Sequence, residues 1–314
     1  MNYSIIIPLY NEELNIVDLH KELIEVINKN TNSNRNFELI YIDDGSIDNT
    51  FEKLKNFNKE NFQIKIIKNK TNLSQSISIY NGINNSIYDN LIFLDGDGQN
   101  DPKDITNMLL EFEKGNDLVH GFRKNRKDNF LTKTLPSLIA NYIVRILSNS
   151  KIIDHGCSLK IIKKQLLDKK VLWGDFHRLL AARISFDKIS VVQLETNHRV
   201  RKFGNSNYGF NRIFKIIIDL IYLNLFHKSK QKNFYFIGFL GFLSLIFSFI
   251  SVLYMLYLKF FKTISFIETP LPILSVLFII SSLIFFSLLF ISHLISIIEE
   301  DTKSKEVNFK IYNK

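Results

Sequence analysis

A single cysteine, Cys157, stands in a chain of 314 residues. No intrachain disulfide can form, and a chain this poor in thiols fits a reducing compartment. The Cys/His spacing of a zinc site is missing as well. So is a signal peptide: the N-terminus runs directly into Ser4-Ile5-Ile6-Ile7-Pro8, which reads as a strand. The net charge is +9 and the pI about 9.3. The basic residues are nevertheless dispersed and no nucleic-acid module is legible, which argues against a nucleic-acid partner. No internal repeat or long linker interrupts the chain. The abundance of Asn, Lys and Ile reads as a compositional bias without functional content.

Charge is what two C-terminal stretches lack. Residues 234–258 carry none, and residues 271–298 carry only His293 as an ionisable group. Each exceeds the roughly 20 residues that cross a bilayer, and both are longer than typical core helices. They are read as a transmembrane hairpin over 233–298, followed by a cytoplasmic tail over 299–314. Lys228, Lys230 and Lys232 stand directly before the first span. Such a cluster suits the cytoplasmic flank of a membrane helix and anionic headgroups. An apolar face over 210–226, formed by Ile213, Phe214, Ile216, Ile217, Leu220 and Ile221, predicts an amphipathic juxtamembrane helix within 210–232. Residues 130–149 predict a second amphipathic helix.

Ahead of these lies one α/β domain, 1–209. Strands are predicted over 4–8, 37–42, 63–68 and 90–94, with helical patterns between them. Ile16, Leu19, Leu23 and Ile27 share one helix face, with Asn11 as its expected cap and Glu12 and Glu13 in its first turn. This alternation implies a doubly wound parallel sheet. Further strands are predicted over 117–122, 157–162 and 189–194, and a helix over 176–186.

The most informative stretch is Leu91-Ile92-Phe93-Leu94-Asp95-Gly96-Asp97-Gly98-Gln99-Asn100-Asp101-Pro102. An apolar run, read as a buried parallel strand, leads into two carboxylates one residue apart. Asp101 and Pro102 then read as N-cap and first helical position. Asp95 and Asp97 therefore lie at the carboxyl end of a strand, where open α/β sheets place ligands. Two hard oxygen ligands there suit Mg²⁺ or Mn²⁺ shared with a substrate diphosphate, the chemistry of nucleotide-sugar transfer. An EF-hand loop counted from Asp95 would need Gly and Glu where Asn100 and Thr106 stand, so that alternative fails. The second strand ends Tyr41-Ile42-Asp43-Asp44-Gly45-Ser46, and the first Pro8-Leu9-Tyr10-Asn11-Glu12. Three polar loops thus share one rim.

Together these segments resemble glycosyltransferase family 2, in the branch of dolichyl-phosphate mannose synthases and bacterial polyprenyl-phosphate glycosyltransferases. Asp154-His155-Gly156-Cys157-Ser158, His177-Arg178 and 198–208 agree with it. The resemblance implies a GT-A fold and an inverting, metal-dependent transfer from a UDP- or GDP-linked sugar to the phosphate of an undecaprenyl- or dolichyl-type lipid. It implies that Pro8, Tyr10, Glu12, Asp43, Asp44, Gly45, Asp95, Gln99, His177 and Arg178 border the nucleotide sugar. Asp95, Asp97 and Gln99 would engage the metal. Arg123, Arg126, Arg201 and Ser206 would meet the acceptor phosphate, and Asp95, Asp97, Asp154, Arg123 and Arg201 would form the catalytic set. Two departures stand out: Asn207 where the family usually has Lys, and Ser74 in place of a glycine-containing turn. Two other readings compete. A processive polysaccharide synthase would carry Gln-x-x-Arg-Trp and more membrane helices. An inactive membrane scaffold would have lost a rim carboxylate. The expected setting is a bacterial inner membrane with the catalytic domain on the cytoplasmic face, and the hairpin leaves room for a homo-oligomer.

Overall fold

The computed structural model describes residues 1–31, 34–58, 60–123, 141–142, 144–146, 150–167, 180, 189–200, 232–301 and 309–313. The predicted helix over 176–186 apart from Leu180, that over 210–226, most of that over 130–149, and Lys228 and Lys230 lie outside them.

The N-terminal half alternates as the sequence implies. Strands β1 (Asn2–Leu9), β2 (Asn36–Asp43), β3 (Gln63–Asn69) and β4 (Asn90–Phe93) are separated by helices α1 (Ile16–Thr31), α2 (Thr50–Lys55) and α3 (Gln75–Asn85). β1 pairs in parallel with both β2 and β4, and β2 with β3. Helix α4 (Asp104–Glu113) follows, then β5 (Leu118–Phe122), β6 (Lys160–Lys163), β7 (Val191–Glu195) and β8 (Phe309–Asn313). The sheet order is β7-β5-β6-β4-β1-β2-β3-β8.

The sheet is mixed, not parallel throughout. β6 lies between β4 and β5, antiparallel to both, and β8 runs antiparallel along the outer edge of β3. Residues 309–313, expected in a tail, are therefore part of the sheet.

Strand side chains alternate between two cores, as a pleated sheet covered on both faces requires. Ile5, Ile7 and Leu9 pack with Leu23 and Ile27 of α1 and with Met108 and Phe112 of α4. Ile6, Ile40, Ile42 and Phe93 face the other way, against Ile79 and Ile83 of α3. Two helix starts differ from expectation. Asn11 does not cap α1; the chain first turns so that the N–H groups of Asn15 and Ile16 donate to the Glu12 carbonyl, both at 3.0 Å. The Asp101 carboxylate accepts from Lys103 N–H at 3.0 Å, which caps a turn leading into α4 at Asp104.

The hairpin forms a unit of its own, comprising helices α5 (Lys232–Lys262) and α6 (Leu271–Asp301). Its stretches Ile237–Lys262 and Leu271–Ile291 are long and apolar enough to cross a membrane, and only 17% and 11% of their most apolar windows are buried. A soluble core helix would be mostly buried. Phe242, Phe249, Leu283 and Phe290 point outward. The helices meet through a polar seam: the Ser251 and Ser275 hydroxyls lie 2.6 Å apart, and Ser248 Oγ donates to the Ser275 carbonyl at 3.1 Å. Internally satisfied hydroxyls of this kind join helices in an apolar medium.

Strand β8 is fastened by Tyr312, whose ring meets Phe51 edge-on at 5.4 Å between centroids. Replacing Tyr312 with Ala is expected to lower the stability of the sheet unit by about 1–2 kcal/mol. Ile311→Ala, at an exposed position of the same strand, should be close to neutral. Thermal unfolding followed by circular dichroism in detergent separates the two.

Candidate active site

The carboxyl ends of β1 to β4 carry loops that are hydrogen-bonded to one another. Asn11, at φ 56°, donates its N–H to Ser46 Oγ and accepts from Ile47 N–H at Oδ1, both at 3.0 Å. Glu12 N–H donates to Thr50 Oγ1 at 2.8 Å, and the Glu12 carboxylate accepts from Asn15 Nδ2 at 2.6 Å. Pro8 ends up in a pocket wall with Asp95, and Tyr10 is exposed.

Asp43 and Asp44 are adjacent, yet they have different surroundings. Asp43 closes β2 and is fully buried. Its Oδ1 accepts from Ser46 N–H at 3.0 Å, whereas Oδ2 is buried and has no hydrogen-bond partner among the described residues. Burial raises its pKa above the ordinary carboxylate value. An orphaned buried oxygen calls for a donor, and a base N–H or ribose hydroxyl would supply one. Asp44 is already committed. Its Oδ1 accepts from Asn69 Nδ2 at 2.8 Å and Leu73 N–H at 3.0 Å, and its Oδ2 from Ser74 N–H at 3.0 Å. Asp44, expected beside the nucleotide, thereby shapes the loop after β3. Gly45, at φ +70°, lies where a Cβ would come within 2.5 Å of the Thr71 carbonyl carbon, so the turn admits no side chain.

The loop that Asp44 holds begins α3, and Gln75 of that helix donates Nε2–H to Asp95 Oδ1 at 2.7 Å. Asp97 Oδ1 accepts from Gln99 N–H at 3.1 Å. Gln99 is tied to the chain beyond β7: its carbonyl accepts from Arg199 N–H at 2.8 Å, and its amide reaches the Arg199 carbonyl at 3.5 Å. Arg199 in turn pairs with Glu22 and Asp101 at 2.7 and 2.8 Å. The Gln99 side chain thus serves the loop in this structure, where a metal contact was expected. Among the described residues no three His, Cys, Asp or Glu side chains form a metal cluster. Asp95 and Asp97 are two hard oxygen donors on one rim loop, a partial set that fits a divalent ion shared with a diphosphate.

Arg123 and Asp154 are brought together, as partners. Arg123 Nε and Nη2 donate to the two Asp154 oxygens at 2.7 and 2.8 Å, with both side chains about 10% exposed or less. Asp154 also accepts from the Arg123 and Gly156 N–H groups, each at 3.2 Å. A Cβ on Gly156 would lie 2.7 Å from Arg123 Nη2, so that glycine makes room for the guanidinium. An aspartate engaged in this way positions the loop. Arg123 and Asp154, both expected in the catalytic set, thus balance each other's charge.

A pocket at Asp95 is lined also by Pro8, Gln75, His155, Ser158 and Lys160. Burial, with the Lys160 charge second, pushes His155 down to about 3. Burial does the same to His120. Gln75, Lys160 and Arg199 were not anticipated from the sequence. A lysine inside the apolar strand 159–162 was the one available signal. Arg126, His177, Arg178, Arg201 and Ser206 lie outside the described residues.

Comparison with known proteins places the chain in a family. The profile of Glycosyl transferase family 2 matches residues 4–175. The chain is 31% identical over 242 residues to the dodecaprenyl-phosphate galacturonate synthase of Rhizobium johnstonii, covering 76% of this chain and 71% of that one. It is 30% identical over 220 residues to the undecaprenyl-phosphate 4-deoxy-4-formamido-L-arabinose transferase of Proteus mirabilis, covering 69% and 66%. Among solved structures, it is similar to the glucosyl-3-phosphoglycerate synthase of Mycobacterium tuberculosis in complex with Mn²⁺, UDP-glucose and phosphoglyceric acid. That match has a TM-score of 0.53 at 16% identity over 71% of this chain and 78% of that one. It is also similar to S. aureus TarS 1–349 in complex with UDP-GlcNAc, with a TM-score of 0.51 at 15% identity over 88% and 79%. These distant structures agree on the GT-A fold.

Ser74 has φ 107°, a region that favours glycine, and its N–H bond to Asp44 holds it there. Ser74→Gly should relieve backbone strain and raise stability by about 1 kcal/mol after the entropy of the unfolded chain is counted. Ser74→Val should lower it. Denaturant titration of the three proteins tests the order.

Proposed function

Since the chain belongs to glycosyl transferase family 2, we propose that it transfers a sugar from a nucleotide sugar to the phosphate of a polyprenyl phosphate, with inversion at the anomeric carbon. The observation that carries this reading is the Asp95–Asp97 pair on the rim that also bears the unpartnered Asp43 oxygen. The names of both curated relatives supply the lipid-phosphate acceptor. The ligands of the solved neighbours support a nucleotide-sugar donor.

In this reading Asp43 receives the nucleoside. Asp95 and Asp97 would hold a divalent ion, Mg²⁺ or Mn²⁺, which when bound neutralises charge on the diphosphate. An oxygen of the lipid phosphate attacks the anomeric carbon from the face opposite the diphosphate. The bond from that carbon to the diphosphate oxygen breaks, and the nucleoside diphosphate departs with the electron pair. A phosphate monoester has its second pKa near ~6 and is largely ionised at neutral pH, so no strong base is needed. That agrees with Asp154 being occupied by Arg123. The chain's task is to hold two anions together, which calls for cationic groups. Arg126, Arg201 and Ser206 are assigned to the acceptor phosphate, with His177 and Arg178 beside the sugar.

The membrane hairpin completes the reading, because a polyprenyl phosphate keeps its headgroup at the bilayer surface. The chain leaves the sheet unit, forms α5 and α6, and returns to add β8 to that sheet. Two crossings bring it back to the side it left. The lysines at the start of the hairpin support a cytoplasmic placement of that side.

Replacing Asp95 or Asp97 with Ala should reduce transfer at least about 100-fold. The assay is mass detection of the lipid product from undecaprenyl phosphate and a panel of nucleotide sugars with Mg²⁺ or Mn²⁺. Near-normal turnover by both variants would sink the assignment. For topology, Cys157→Ser proteins carrying Lys29→Cys, Ser265→Cys or Lys310→Cys are treated with an impermeant thiol reagent in intact and permeabilised cells. The reagent should reach position 265 from outside, and positions 29 and 310 only after permeabilisation. Labelling of 29 or 310 in intact cells would reverse the orientation.

A further inference from the structure

We propose that His155 reads the sugar of the donor, its imidazole hydrogen-bonding a hydroxyl or other polar substituent of the sugar ring in the pocket at Asp95. The inference rests on the nucleotide-sugar reading given above and names a residue of that site to which no role has been attached.

His155 stands in the pocket wall and is 3% exposed. Neither Nδ1 nor Nε2 has a hydrogen-bond partner among the described residues. Two unmet polar atoms on one buried ring are unusual, since buried polar groups in folded proteins are nearly always paired. On a pocket wall, a ligand is the natural partner. The same pocket is lined by Gln75 and Asp95, joined at 2.7 Å, and Asp95 is one of the two carboxylates proposed above to hold the ion on the diphosphate. The pocket therefore adjoins the bond between sugar and diphosphate. The backbone under the ring is fixed: His155 N–H donates to Asn141 Oδ1 at 3.2 Å, and the preceding Asp154 is clamped by Arg123.

The ring's charge state suits a sugar. Burial first, and Lys160 and Arg145 after it, oppose protonation, outweighing the attraction of Asp154. A neutral imidazole offers one N–H and one lone pair. A sugar hydroxyl, which both donates and accepts, can meet either. A neutral pair that discriminates by hydrogen bonding also penalises a donor that lacks the matching group, because the site is then left unpaired.

The test uses the full-length protein in detergent with calorimetric titration. The probes are UDP-glucose, UDP-galacturonic acid, UDP-N-acetylglucosamine and GDP-mannose, with UDP and GDP alone. His155→Phe keeps a ring of similar bulk without polar atoms, and His155→Gln keeps one donor and one acceptor. For the nucleotide sugar that binds the wild type best, His155→Phe should weaken binding about 10-fold, the size expected for a hydrogen bond in a buried site. Affinity for the bare nucleotide should not change, and His155→Gln should stay within about 3-fold of the wild type. Equal affinity of wild type and His155→Phe for that nucleotide sugar overturns the proposal. So does an equal loss for nucleotide sugar and bare nucleotide, which would mark a structural role. If the wild type binds none of the nucleotide sugars, the parent reading fails and this proposal falls with it.

Discussion

Much of the site depends on where one carboxylate points. Asp44 gathers the Asn69 amide and the N–H groups of Leu73 and Ser74 onto its two oxygens. It fixes the loop after β3 from the end of β2, and that loop sets the start of α3. Gln75, in the first turn of α3, then holds Asp95. A carboxylate on one rim loop thereby helps determine how a carboxylate on another is presented. Hydrogen bonds to a buried charged group are stronger than those between neutral groups, and removing the charge strands several donors together. The same hub explains how a serine occupies φ 107° at position 74: the bond to Asp44 offsets backbone strain.

A second constraint acts across the sheet. Arg123 follows β5 and Asp154 precedes β6, and their buried, two-pronged pair locks the chain segment that supplies His155 and Ser158 to the pocket. The pair is internally neutral. The rim is thus divided by bonding. Asp44, Asp154 and Arg123 are taken up by the protein's own hydrogen bonds, whereas Asp43 keeps an oxygen without a partner among the described residues.

This division marks the limit of what the sequence discloses. The parallel half of the sheet was legible because strands buried on both faces appear as apolar runs, as in 4–8 and 90–94. The rim carboxylates were legible because they follow those runs directly. Strand direction leaves no such trace, so the antiparallel insertion of β6 and the addition of β8 were invisible. The roles of Asp43 and Asp44 could not be told apart, since neighbours in sequence diverge only when β2 ends between them. The partnership of Arg123 with Asp154 spans 31 residues and needs the folded sheet. His155 stood in a family-like segment with no role of its own, and only its nitrogens, unpaired among the described residues in a pocket wall, set it apart. The hairpin was legible from composition alone, apart from the exact placing of its apolar windows.

The return of the chain to add β8 has a consequence for biogenesis. A ribosome delivers β1 to β7 first, then both apolar helices, and the strand that covers β3 only at the end. Until then β3 presents an open edge, the kind of surface on which chains pair wrongly. The sheet reaches its full width only after the hairpin has been made and has turned the polypeptide back. Completion of the sheet is thereby coupled to passage through the membrane-seeking segment, so a chain that stalls in the hairpin carries an unfinished sheet with β3 still open along its edge.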